Sequence, residues 1–321
     1  VRESRMSIVA AGRSGANGSF SLTRRTVFLK FRMFLWIGVR LEMRAPERAY
    51  LNFHESIDIE QFSDSELTMV NITFPDGNIK SFESPPTGLD VARGISEGLA
   101  RNSVAIEVDG IVIDLNRPID RDASIRLVTH RDPEALDILR HSAAHVMAQA
   151  ILRLYPDARL TIGPAVEDMF YYDIDMEPIS EDDFPKIEAE MRKIIKAKIP
   201  ISRRAVTKAE ALEFYRQEPY KLEMISDLED GTISFYQQEE FTDLCRGPHI
   251  PHTGYIKAIK LLKVSGAYWR GDQNRPQLQR IYGTAFFDKK QLKEYLHFLE
   301  EARRRNHRKL GIAMDLFSFH D

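Results

Sequence analysis

The chain has 321 residues, 43% of them hydrophobic and 29% charged, with a net charge of −3. That length holds two domains with cores of their own, and the balance is that of a soluble globular protein. Near-neutral charge excludes binding of nucleic acid through bulk basicity, and the single cysteine, Cys245, excludes an intramolecular disulfide.

Residues 1–45 carry nine Arg/Lys against two Glu. Their apolar run VFLKFRMFLWIGV is broken by Lys30 and Arg32, too short and too charged for a membrane span. The composition fits an organellar transit peptide. A signal peptide would need a small-residue cleavage site after the run, and translation from a start placed too early also fits. Met69 opens a well-patterned stretch, so residues 1–68 are expected to be a disordered or non-native extension without a functional role.

From Met69 the pattern is β-rich. Val70, Ile72 and Phe74 alternate, Asp76-Gly77 turns the chain, and Ile79 and Phe82 return as the second arm of a hairpin. Thr87 caps a short helix that faces a core with Leu89, Val91, Ala92, Ile95 and Leu99. Ser103–Val108 and Ile111–Leu115 pair across Asp109-Gly110, and Ser124–Thr129 is a last strand. Residues 69–130 thus read as a small α+β sheet with one packed helix and nothing catalytic in it.

Asp132-Pro133-Glu134 then starts a helix, with an N-cap, a proline at the first position and an acid near the dipole. Leu136, Leu139, Ala143, Val146, Met147, Ala150, Ile151 and Leu154 form one stripe, and His141 and His145 are expected on the opposite face, beside Ala144 and Ala148. Such a front would make a pocket wall. The pair is open to three readings, a metal site, proton transfer or packing. HSAAH lacks the glutamate that a zinc protease places between its histidines.

The second half of the constellation is FTDLCRGPHIPHTG, where Cys245 precedes His249 by four residues across a Gly-Pro turn. Two histidines on a helix plus a cysteine and a histidine on a loop make four groups that can hold zinc or act without it on a bound ester. Asp243 can orient an imidazole or bind an ammonium group. Gly163-Pro164 followed by Phe170, Tyr171 and Tyr172, and the stretch VSGAYWRGDQNRPQLQRIYGTAFFD, set glycines beside aromatic and basic residues, as core or as a surface where a nucleotide stacks.

HSAAHVMAQA, TIGPAVEDMFYYD, FTDLCRGPHIP, SGAYWRGD and LQRIYGTAFFD, in that order, resemble the threonyl-tRNA synthetase family from Met69 onward. The resemblance implies an α+β chain: a β-grasp (ubiquitin-like) TGS domain at 69–130, an editing domain of the kind shared with alanyl-tRNA synthetases at 131–287, a linker helix at 288–308, and the start of a truncated aminoacylation core at 309–321. It implies hydrolysis of mischarged seryl-tRNA(Thr) as the retained activity. ATP-dependent charging, with its zinc and Mg-ATP, belongs to the core. His141, Lys221, Cys245 and His249 would be catalytic, with Lys221 and His141 positioning and activating water. His145, Asp243, Tyr172, Gly163 and Pro164 would bind substrate. No cofactor is expected here, zinc at His141, His145, Cys245 and His249 being the alternative. The expected partner is tRNA(Thr), chiefly its 3′ acceptor end, with no membrane. Full-length members are homodimers and this chain is expected as a monomer. It would be cytoplasmic, or organellar if residues 1–45 are a transit peptide. A non-catalytic TGS-bearing RNA-binding module and a free-standing trans-editing hydrolase are the rival readings.

Overall fold

Two Asp-Gly turns shape the first sheet. At Asp109-Gly110 both residues have positive φ, 50° and 82°, the backbone that joins adjacent strands with their natural twist. Residues 69–305 are described by the computed structural model, together with a two-residue pairing of Ser7–Ile8 with Phe20–Ser21. The expectations for the remainder of 1–68 and for 306–321 lie outside the described residues.

The first sheet comprises β1 (Val70–Thr73), β2 (Ile79–Phe82), β3 (Ser103–Val108), β4 (Ile111–Asp114) and β5 (Ala123–Thr129), in the order β2-β1-β5-β3-β4. β1 and β5 are parallel and the other pairs antiparallel. Val91 of helix α1 (Gly88–Ile95) packs with Ile72, Ile106 and Leu115. The single helix expected here is two. Ser96, in an extended conformation, ends α1 and caps α2 (Glu97–Asn102) by accepting a hydrogen bond from the Leu99 amide. Ile95, expected in the core, is the last residue of α1 and is 54% exposed.

Helix α3 (Pro133–Leu154) forms the centre of the second half. Asp132 is its N-cap residue, but its carboxylate accepts from the amide and hydroxyl of Thr129 instead of from the helix. The expected two-faced helix is corrected: fourteen of its 22 residues are buried. A helix enclosed nearly all round needs small or satisfied residues on every side, and the alanines and the histidine pair supply them. On one side it meets a sheet of β6 (Arg159–Leu160), β7 (Ala165–Val166), β8 (Met169–Asp175), β12 (Ala258–Tyr268) and β13 (Gln277–Phe286), ordered β12-β13-β8-β6 with β7 on β8. Helix α4 (Phe184–Ala197) packs against it too. A separate antiparallel sheet of β9 (Ser202–Ala205), β10 (Ser234–Gln238) and β11 (Phe241–Leu244) is inserted in the chain between β8 and β12, with helices α5 (Lys208–Phe214) and α6 (Pro219–Ser226) before β10.

One apolar cluster joins the two halves. Val104, Ala105 and Val128 of the first sheet pack into the same core as Ala135 and Leu139 of α3. The last described helix, α7 (Lys289–Arg304), is capped by Asp288 and buries no residue. Among the described residues no helix is long and apolar enough to cross a membrane.

Candidate active site

Four elements converge on one cavity of about 480 Å³. α3 brings His141 and His145, the segment before β8 brings Thr161, Gly163 and Pro164 with Tyr172 on the strand, α6 brings Lys221, and β11 with the loop after it brings Asp243 and Cys245. Of the nine residues given catalytic or substrate-binding roles from the sequence, His249 alone does not line the cavity. It stands behind Cys245, with its Nε2 3.2 Å from the sulfur. Thr161 and the arginines Arg246 and Arg270 also line the cavity. Arg270 belongs to the stretch VSGAYWRGDQNRPQLQRIYGTAFFD, which reads as core or as a nucleotide surface, whereas Thr161 and Arg246 were not assigned to the site. Both arginines are exposed. Arg270 is held by Glu223 and Asp227, on a left-handed backbone with φ 55°.

The deepest part is a buried ion pair. Lys221 and Asp243 are each 2% exposed. The Lys221 ammonium donates to Asp243 Oδ1 and to the Thr161 carbonyl at 2.7 Å, and lies 3.4 Å from the Tyr172 hydroxyl. All three of its protons therefore have acceptors. Asp243 also accepts from its neighbouring Leu244 amide on Oδ1 and from Tyr172 Oη on Oδ2 at 2.5 Å, with His145 Nε2 3.6 Å away. Burial alone would push this carboxyl up. Lys221, His145 and the hydrogen bonds outweigh it and hold Asp243 below the ordinary carboxylate range. The expectation that Asp243 receives the substrate's amine or hydroxyl is thus altered: most of its roughly four acceptor positions serve the protein.

Gly163 is needed because the Tyr172 ring occupies the space where a side chain would start. A Cβ there would lie 2.2 Å from a ring carbon. Gly163→Ala is expected to cost about 1–3 kcal/mol by forcing Tyr172 from its seat, measured as a lower urea midpoint with unchanged slope. Stability equal to the parent protein would contradict this packing.

Above the ion pair sits the imidazole and thiol cluster. Ser142 gives its proton to the Ile138 carbonyl at 2.8 Å, so its oxygen is an acceptor for His249 Nδ1 at 3.0 Å and the Ile250 amide at 3.1 Å. His249 accordingly carries its proton on Nδ1, and Nε2 presents a lone pair to Cys245. The sulfur also meets His141 Nε2 at 3.3 Å. A single thiol proton therefore faces two imidazole nitrogens. Burial pushes the Cys245 thiol up to about 12, so it is a neutral thiol at neutral pH. Burial likewise lowers all three histidines, with His145 brought down to about 3. His141 is the least enclosed of the three, partly open to the cavity while His145 and His249 are buried.

These shifts fix a sign for the pH dependence of stability. A histidine that binds its proton less readily when folded leaves the unfolded chain to protonate first as pH drops below about 6.5. Stability therefore falls from there downward. His145, at about 3 in the folded chain, would account for about 2 kcal/mol of that loss at pH 5. Asp243 adds a further loss only below its unfolded value of 3.8. Urea titrations at pH 7.5 and 5 are expected to show the decline, with a shallower one in His145→Gln. An identical slope in that variant would contradict the assignment.

The cluster fits zinc by chemical type. The four donor atoms lie within 4.8 Å of one another, and the two sulfur to nitrogen separations approach the roughly 3.5 Å edge of a tetrahedral zinc site. Closing the set on an ion requires the wider separations to contract.

Comparison with known proteins matches residues 70–129 to the TGS domain and residues 233–282 to the threonyl and alanyl tRNA synthetase second additional domain. A threonine–tRNA ligase of Desulfatibacillum aliphaticivorans is 68% identical over 253 residues, covering 79% of this chain and 40% of that protein. One of Desulforapulum autotrophicum is 66% identical over 252 residues, with 78% and 40% covered. One of Streptococcus uberis is 53% identical over 253 residues, with 78% and 39% covered. The chain spans about 40% of the length of these curated relatives.

Proposed function

Since the chain belongs, through its TGS domain and second additional domain, to the threonine–tRNA ligase family, we propose that its cavity hydrolyses the ester of seryl-tRNA(Thr). The observation that carries this reading is the meeting, in one cavity, of a buried Lys221–Asp243 pair with the His141, His145 and Cys245 groups. Serine and threonine differ by one methyl, worth only about 1–3 kcal/mol in a binding pocket. A second site that removes the smaller product supplies the missing discrimination.

In this reading 69–130 is the TGS domain, 131–287 the editing domain and 288–308 a linker helix. The 3′-terminal adenosine and its seryl ester enter past Gly163-Pro164, with the phosphates beside Arg246 and Arg270 at the mouth. An ester needs a positioned water, a group to take the water's proton and a route for a proton to the departing ribose oxygen. Lys221 has no free lone pair and no free proton in its bonded state, so it is a fixed positive charge that acts on the carbonyl through space, and Asp243 keeps it there. His141 Nε2 is the base within reach of the open cavity. Cys245, a neutral thiol held by His249, is a hydrogen-bonding wall and proton carrier; it is not a nucleophile. A zinc ion on the quartet would bring Lewis acidity, and the donors named above would hold it. The reading assigns the work to Lys221 and His141 without it. The partner is tRNA(Thr), met at its acceptor end in the cytoplasm.

The test presents the purified chain with seryl-tRNA(Thr) and threonyl-tRNA(Thr) side by side. Serine is expected to be released rapidly and threonine at the background rate. Equal, uncatalysed decay of both esters would sink the reading and favour a non-catalytic RNA-binding role.

A further inference from the structure

A carboxylate from the first sheet reaches the loop that carries Cys245 and His249. Asp114 is the last residue of edge strand β4. Its Oδ1 accepts from the His249 amide at 2.8 Å and its Oδ2 from the Tyr236 hydroxyl at 2.7 Å. Tyr236 lies under the same loop. Its ring packs on the His249 imidazole, centroids 4.4 Å apart, and its hydroxyl would stand 1.9 Å from a Cβ at Gly247. Gly247, at φ 72°, is left-handed as well, so the turn between Cys245 and His249 is seated directly on the Tyr236–Asp114 pair. Behind it, the apolar core shared by Val104, Ala105, Val128 and α3 ties β3 and β5 to the catalytic helix.

We infer that Asp114, supplied by the β-grasp sheet, is a positioning residue for the hydrolytic site, holding the Cys245–His249 loop against His141. This rests on the reading of that site as an ester hydrolase. The TGS domain is then part of the active-site framework and not only a docking module. Without the Asp114 carboxylate, the His249 amide and the Tyr236 hydroxyl lose their shared acceptor; the loop keeps its bonds to Ser142 and Ser234 but loses its anchor on the first sheet, which loosens the 3.3 Å contact of Cys245 with His141. Small misplacements of reacting groups cost rate more than affinity.

In the whole chain, Asp114→Ala is expected to lower the single-turnover rate constant for seryl-tRNA(Thr) roughly tenfold, with half-saturation by tRNA little changed. Amide hydrogen exchange is expected to rise across residues 245–249. Asp114→Asn keeps an oxygen for the His249 amide and is expected to restore most of the rate. If Asp114→Ala does not fold, Tyr236→Phe carries the test, with raised exchange at 245–249 and a smaller loss of rate. A folded Asp114→Ala, or failing that Tyr236→Phe, with unaltered rate and unaltered exchange overturns the inference. If the parent chain itself releases no serine, the hydrolase reading has failed. Exchange at 245–249 then decides alone whether Asp114 holds the loop.

Discussion

Lys221→Met is expected to lose about 3–5 kcal/mol of folding stability, the usual result of stranding a buried charge, together with nearly all hydrolysis of seryl-tRNA(Thr). The stranded charge is Asp243, fully enclosed and left with only Leu244 and Tyr172 as hydrogen-bond donors. The double variant Lys221→Met/Asp243→Leu separates the two losses. Replacing both members of a buried pair by apolar groups is often nearly neutral, so stability is expected to recover in large part. Activity is expected to stay lost, because no fixed charge then faces the ester. Urea titration and single-turnover deacylation on the three proteins check this. A Lys221→Met protein as stable as the parent would mean that the pair is not enclosed as described. A double variant that regains activity would mean that the ammonium does no work on the ester.

The second large effect is expected at the cluster above the pair. His141→Ala and Cys245→Ala should each slow deacylation by about 10²–10⁴-fold, the span typical of a lost acid–base group. Both side chains are only partly buried and line the cavity, so unfolding midpoints should move little. Loss of rate with the fold kept distinguishes these two from Lys221. Because Cys245 is a neutral thiol, Cys245→Ser should retain more rate than Cys245→Ala. If both cysteine variants hydrolyse at the parent rate, the thiol is packing and the work lies with His141 and Lys221 alone.

The local parts of this architecture were legible in the sequence. Alternation around Asp76-Gly77 and Asp109-Gly110 placed four of the five strands of the first sheet, because turn chemistry and period two are read over a few residues. HSAAH and DLCRGPH marked the groups that meet at the cavity. What escaped depends on contacts between distant segments. Nothing near Lys221 signals that it is buried. It is the Thr161 carbonyl, sixty residues earlier, and Asp243, 22 residues later, that complete its shell. The wheel for α3 placed the histidines on an open face because Ala, Gln and His carry little hydropathy. The enclosure of that helix comes from the sheet and α4 closing on it. Asp114, inside the strand read as Ile111–Leu115, carried no signal of its role, since its partners are 122 and 135 residues away.

The most direct test of the central claim is single-turnover release of serine from seryl-tRNA(Thr) by the chain before and after stripping of divalent metal, with His141→Ala beside it. The account predicts rapid release at the same rate in both states of the parent protein and a rate close to uncatalysed hydrolysis in the variant. A parent protein that releases serine only when zinc is restored, or one that does not release it at all, would contradict a site that works through Lys221, Asp243 and His141.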